Sequence, residues 1–120
     1  MKVLIADDDK VLVQLLTVGL KKRGIDAVTA FDTMQAVMSA QRSSPDVALV
    51  DINMPGGTGV EAIKRIKGST KTGAMPVIAM TGSATPEARK SALDMGAVEC
   101  IEKPIDLDRL AELLKSLTEG

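Results

Sequence analysis

The run Val47-Ala48-Leu49-Val50-Asp51-Ile52-Asn53-Met54-Pro55 decides the fold. Its first four residues are apolar on both faces, as a central strand of a parallel sheet must be when helices cover both sides. Working outward, the apolar pattern switches period again and again, with short Val/Ile/Leu runs alternating with longer stretches at helical spacing. Upstream, Val3-Leu4-Ile5-Ala6 reads as a buried first strand. Val11, Leu12, Leu15, Leu16 and Leu20 then line one helical face, stopped by Gly24. Ala27-Val28-Thr29-Ala30 is a weaker second strand. Asp32 with Gln35 forms a capping-box signature for a helix to about Gln41, ended by Ser43-Ser44-Pro45.

Downstream, Thr58 with Glu61 makes a second capping box, opening a helix through Val60, Ile63 and Ile66 to Gly68. Val77 to Met80 is a fourth strand. Thr85-Pro86-Glu87 supplies an N-cap, a proline at the first helical position and an acid in the first turn, and that helix stops at Gly96. Val98 to Ile101 reads as a fifth strand, weakened by Glu99. A last helix starts at Asp106 and buries Leu107, Leu110, Leu114 and Leu117. Five β-α units imply an α/β fold, a five-stranded doubly wound parallel sheet with helices on both faces. No linker, repeat or low-complexity tract interrupts it, so residues 1–120 read as a single domain with no output domain.

Composition removes many chemistries. The 120 residues include one cysteine, one aromatic (Phe31) and no histidine. The chain therefore cannot supply a histidine base, a histidine metal ligand or a Ser-His-Asp triad. Lone Cys100 excludes an intrachain disulfide and a zinc-thiolate cluster, and it fits a reducing compartment. A formal net charge of −1 gives no field to recruit nucleic acid or an anionic membrane. One aromatic leaves little for bases to stack on. Asp7, Asp8 and Asp9 cut the N-terminal apolar run too short for a signal peptide, and no stretch could span a bilayer. A cytoplasmic protein that touches neither membrane nor nucleic acid is the expectation.

In doubly wound sheets the ligand site lies beyond the carboxyl ends of the strands. Strand one delivers Asp7 and Asp8 there, strand three Asp51 and then Asn53, strand four Thr81, and strand five Lys103 followed by Pro104. Singly, each has a bland reading. Asp9 reads as a helix cap, Thr81 as a loop threonine and Lys103 as a surface lysine. Asp51 resists that treatment, because a charge ending the most buried strand is costly unless it is paired. Clustered carboxylates without histidine or thiolate suit a hard cation, best Mg²⁺, which keeps waters and is shared with phosphate oxygens. A carboxylate can also act as nucleophile and give an aspartyl phosphate, with Lys103 and the Thr81 hydroxyl holding the other phosphoryl oxygens.

Asp7-Asp8, Asp51-Ile52-Asn53-Met54-Pro55 with Gly59, Thr81 and Lys103-Pro104 together resemble the receiver domain of bacterial two-component response regulators, of the single-domain chemotaxis type. The resemblance runs from about Lys2 to Leu117. It implies a flavodoxin-like strand order 2-1-3-4-5. It also implies that Asp51 accepts a phosphoryl group from a sensor histidine kinase or a histidine phosphotransfer protein. Asp8, Asp51 and the Asn53 carbonyl would hold Mg²⁺, with Asp7 acting through a water. Lys103 would pair with the phosphoryl group, and Thr81 would swing toward it and alter the surface of helix four, strand five and helix five. The Lys103-Pro104 bond is expected to be cis.

By that resemblance the chain is a phosphoacceptor signalling domain rather than an enzyme, catalysing only its own phosphotransfer and slow aspartyl-phosphate hydrolysis. Its downstream partner is a protein target or a fused output domain, since the chain ends just after its last helix. Cys100 stands where many such domains carry a switch aromatic. It reads as a small buried residue, with a redox role as the sharper idea, and switching then falls to Thr81, the Gly82 to Pro86 loop or helix four.

Competing readings fare worse. A flavin binder would need a phosphate-cradling loop where three acids stand. Gly56-Gly57-Thr58-Gly59 and Gly68-Ser69-Thr70-Lys71 complete no nucleotide fingerprint. A haloacid-dehalogenase-type phosphatase would want an acid at Asn53 and a cap domain. The remaining alternative is a receiver-like interaction module that works without phosphorylation.

Overall fold

Each apolar run becomes a strand and each helical-period stretch a helix in the computed structural model, which describes residues 1–54 and 59–119. The order is β1 (Lys2–Ala6), α1 (Lys10–Lys21), β2 (Asp26–Ala30), α2 (Thr33–Ser43), β3 (Val47–Asp51), α3 (Gly59–Gly68), β4 (Val77–Thr81), α4 (Pro86–Asp94), β5 (Glu99–Glu102) and α5 (Leu107–Thr118). All strand pairs are parallel, in the order β2-β1-β3-β4-β5. The expected flavodoxin-like topology is therefore the observed one.

Period-two alternation sorts the core into two layers. Leu4, Val50 and Ala79 pack with Ala36, Ile63 and Ala92 of α2, α3 and α4. Ile5, Leu49 and Met80 face the other way, onto Leu16 and Leu20 of α1 and Leu110 and Leu114 of α5. Strands β3 and β4 are buried at every position, as their unbroken apolar runs require.

Helix α1 departs from the expected single face. Val13, Leu16 and Leu20 meet the sheet and buried Gly19 faces Leu107 of α5, whereas Val11, Leu15 and Val18 are 69%, 62% and 50% exposed. Spacing explains this: positions 11, 15 and 18 stack at i, i+4 and i+7 on the outward side of a helix that is apolar nearly all round. Close approach of α5 also constrains α1, because a Cβ on Gly19 would run into the Leu107 side chain.

Most caps follow the sequence. Asp9, Asp32, Thr85 and Asp106 each accept a backbone N–H of their helix's first turn. The Gln35 side chain, however, reaches back to the N–H of Phe31 rather than to Asp32 itself. Helix α2 runs two residues past the expected Gln41, and Ser44 turns it off in the left-handed region at φ 47°. Pro45 follows directly and cannot continue the helical ladder. Gly96 ends the α4 turn at φ 113°, a conformation that favours glycine. Thr58 of the expected second capping box lies outside the described residues, as do Pro55, Gly56 and Gly57.

Strand β5 is shifted one residue from its expected place. Glu102 pairs with Thr81, and Val98 stays outside at 46% exposure. Alternation then points Cys100 into the α2–α4 layer and Ile101 toward α5. Leu107 and Leu117 of α5 are only half-buried, whereas Leu110 and Leu114 are buried. Among the described residues no helix is long and apolar enough to cross a membrane.

Candidate functional site

The carboxyl ends of β1, β3 and β4 and the turn after β5 meet at one edge of the sheet, because parallel strands all finish on the same side. Asp7 follows β1 and is fully buried, Asp51 ends β3 at 4% exposure, and Thr81 ends β4 at 3%. Asp8 is exposed at the rim. Asp7, Asp8 and Asp51 each offer a carboxylate oxygen, and these oxygens lie within 4.8 Å of one another.

Local backbone geometry fixes the acids. Asp7 Oδ1 accepts the Asp9 N–H at 2.9 Å, and Asp51 Oδ1 accepts the Asn53 N–H at 3.0 Å. Their other oxygens meet Lys103. The ammonium Nζ lies 2.7 Å from Asp7 Oδ2 and 3.3 Å from Asp51 Oδ2, and the lysine side chain is one-quarter exposed. The Lys103-Pro104 peptide is cis, as expected. Lys103 also ties β5 back to β4 by donating its backbone N–H to the Thr81 carbonyl at 2.8 Å.

This crowding shifts the protonation equilibria. Burial pushes the Asp51 carboxyl up and the neighbouring Asp7 charge adds to that, against the opposing pull of the Asn53 N–H and Lys103; the net shift is upward. For Lys103, burial works to lower the ammonium. The hydrogen bond to Asp7 and the charges of Asp51 and Asp7 outweigh it, and its pKa is raised. The lysine is thus firmly cationic between two acids. A cluster of three oxygen donors with no softer ligand has the chemistry of a hard, oxygen-seeking cation site, so these residues fit Mg²⁺.

Thr81 is oriented differently. Its hydroxyl donates to the Ser83 carbonyl at 3.1 Å and accepts the Ser83 N–H at 3.2 Å. It is engaged with the loop entering α4 rather than with the carboxylates. Cys100 is a buried free thiol with its pKa raised by burial, which suits packing rather than thiolate chemistry. It also lines a groove of about 720 Å³ along β5 and α5, with Arg89 of α4 at the side. Of the residues expected at this edge, Asp7, Asp8, Asp51 and Lys103 come together, whereas the Thr81 hydroxyl turns to Ser83. Glu102 carries no sequence signal, since it lies one residue beyond the expected fifth strand; its carboxylate accepts the Ala84 N–H at 2.9 Å.

Comparison with known proteins agrees with this geometry. The family model for the response regulator receiver domain matches residues 3–115. The receiver domain of the Francisella response regulator 1452 is similar, with 29% identity and a TM-score of 0.91, covering 98% of this chain and 96% of that one. The receiver domain of sensor histidine kinase PA1611 from Pseudomonas aeruginosa PAO1, with a magnesium ion coordinated in its active site cleft, has 26% identity and a TM-score of 0.91, covering 99% and 98%. Chemotaxis protein CheY4 of Vibrio cholerae has 29% identity and a TM-score of 0.90, with 97% of each chain covered. With its parallel sheet, its three clustered acids and its family match over nearly the whole length, this chain belongs to the response regulator receiver domain family.

Proposed function

We propose that this chain is a phosphorelay receiver that takes a phosphoryl group onto Asp51 from a phosphohistidine on another protein. The observation that carries the reading is Asp51 itself. A carboxylate buried at a strand end is held by the Asn53 N–H and Lys103, with carboxylate oxygens of Asp7 and Asp8 within 4.8 Å. An ordinary structural acid would not be placed among two others at such cost.

In the transfer, a carboxylate oxygen of Asp51 attacks phosphorus and forms the new O–P bond as the P–N bond breaks. The electron pair stays on the donor imidazole. Lys103 stabilises charge on the phosphoryl oxygens, having the reach to serve Asp51 and Asp7 together. Thr81 supplies a hydroxyl once it leaves Ser83. Asp8, Asp51 and the Asn53 carbonyl would hold Mg²⁺, with Asp7 acting through a water. That ion, when bound, screens the negative charges that must approach one another. The chain acts on itself and turns over no separate substrate, so we read it as a phosphoacceptor domain rather than an enzyme.

The donor must bring the histidine, since this chain has none. Its approach is favoured by the outward stripe of α1, where Val11, Leu15 and Val18 begin at the rim beside Asp8 and Asp9. An exposed apolar stripe continuous with the acidic mouth suits a helical protein donor, a sensor kinase or a histidine phosphotransfer protein. The downstream protein target or output domain is assigned to the groove along β5 and α5. Stoichiometric phosphoryl uptake from a small phosphodonor in Mg²⁺, lost in Asp51→Ala, tests the reading. An interaction module independent of phosphate would bind its partner yet stay unmodified.

A further inference from the structure

Glu102 closes β5 in register with Thr81, on the same face as Cys100 and so on the side of α4. Its Oε1 accepts the N–H of Ala84 at 2.9 Å, joining positions 18 apart in sequence. Ala84 sits in the four-residue connection from Gly82 to Thr85 that links β4 to α4. The same connection holds the Thr81 hydroxyl through both backbone groups of Ser83. On the other flank, Lys103 follows Glu102 directly and bridges Asp7 and Asp51. One exposed glutamate therefore ties the loop that occupies Thr81 to the strand that presents Lys103.

We propose that Glu102 is a positioning residue that clamps the β4–α4 connection through the Ala84 N–H and so keeps the Thr81 hydroxyl on Ser83. The proposal rests on the reading of Asp51 as phosphoacceptor. A hydrogen bond from a carboxylate to a backbone N–H is charge-assisted and directional, so it favours one loop pose over its alternatives. Any group on Asp51 that recruits Thr81 must compete with that pose, and its apparent affinity falls by the fraction of molecules held there. Glu102 thereby sets how readily the pocket accepts a phosphoryl group without touching that group.

The experiment compares wild type with Glu102→Ala and Glu102→Gln. Exchange of the Ala84 amide is measured first, with no phosphodonor present. Affinity for beryllofluoride in Mg²⁺, a phosphoryl mimic, is then followed through the Thr81 amide signal. Loss of one such bond corresponds to about a fivefold change. Glu102→Ala is expected to speed Ala84 exchange about fivefold and to tighten beryllofluoride by about the same factor. Glu102→Gln keeps a carbonyl acceptor without the charge and is expected to fall between wild type and Glu102→Ala in both. If Ala84 exchange is unchanged in Glu102→Ala, there is no clamp and the proposal falls. If Glu102→Gln tightens the mimic as much as Glu102→Ala does, the cause is charge beside Lys103, and the proposal again falls. Failure of all three proteins to bind beryllofluoride overturns it through Asp51 instead, an outcome that the Ala84 exchange data tell apart.

Discussion

The ammonium of Lys103 lies 2.7 Å from the carboxylate of Asp7, joining residues 96 positions apart at the mouth of the sheet. Asp7 is fully buried and Asp51 nearly so, and Lys103 is the cation between them. Removing one partner of a buried pair strands the other charge. Lys103→Met should therefore destabilise the metal-free protein by about 2 kcal/mol, below the figure for fully buried pairs because this lysine is partly solvated. Urea unfolding with and without Mg²⁺ checks it: the cation should restore more stability to Lys103→Met than it adds to wild type. Equal gains would mean that the ion does not take over the charge compensation that Lys103 gives Asp7 and Asp51.

Asp51 should act in the opposite direction. Its carboxyl is raised by burial, so the folded protein keeps this proton over a pH range where the unfolded chain has lost it. Stability from this group therefore falls as pH rises through that range, and the cost is full at neutral pH. Asp51→Asn removes the charge and should stabilise the metal-free protein at pH 7 by on the order of 1 kcal/mol, with the gain vanishing below the ordinary carboxylate range. Melting curves across pH decide the sign. A destabilised variant at neutral pH would show that Asp51 is stabilised by its neighbours instead.

The Gly19–Leu107 contact between α1 and α5 gives a sharper packing test. Alanine favours the helix over glycine by about 1 kcal/mol, yet here its methyl meets the Leu107 side chain, and overpacking costs about 1–3 kcal/mol. Gly19→Ala should be neutral to destabilising alone but stabilising by about 1 kcal/mol in a Leu107→Ala background. A double-mutant cycle by urea unfolding reads the sign change, and additive effects would exclude the clash.

The outward stripe of α1 separates docking from chemistry. Leu15 is 62% exposed, so Leu15→Gln should leave stability within about 0.5 kcal/mol. Transfer from a phosphohistidine protein should slow about tenfold, as loss of an exposed apolar anchor worth about 1.4 kcal/mol implies, while uptake from a small phosphodonor stays unchanged. Equal slowing with both donors would place the effect in the pocket rather than on α1.

Much of this was legible in the chain because strong local signals and global topology agree. Buried runs such as Val47–Val50 tolerate no alternative to a central strand, and the strand ends then name Asp7, Asp51, Thr81 and Lys103. Where the outcome differed, a long-range partner made the choice. Helix α1 carries apolar residues on two faces, and only the sheet and α5 decide that Val13 and Leu16 go inward while Val11 and Leu15 stay out. Strand β5 is weakly patterned, so its register follows pairing with β4, which brings Glu102 into the strand and against Ala84. The tie of the Thr81 hydroxyl to Ser83 is equally invisible in a string of residues, since it depends on a rotamer.

The central claim is that Asp51 accepts a phosphoryl group, and mass spectrometry of the intact protein tests it most directly. After incubation with Mg²⁺ and phosphoramidate, wild type should carry one added phosphoryl group, labile to hydroxylamine as an acyl phosphate is, and mapping to the peptide that contains Asp51. Asp51→Ala should carry none, and chelation of Mg²⁺ should suppress the gain in wild type. Wild type left unmodified, or Asp51→Ala modified to the same extent, would contradict the account.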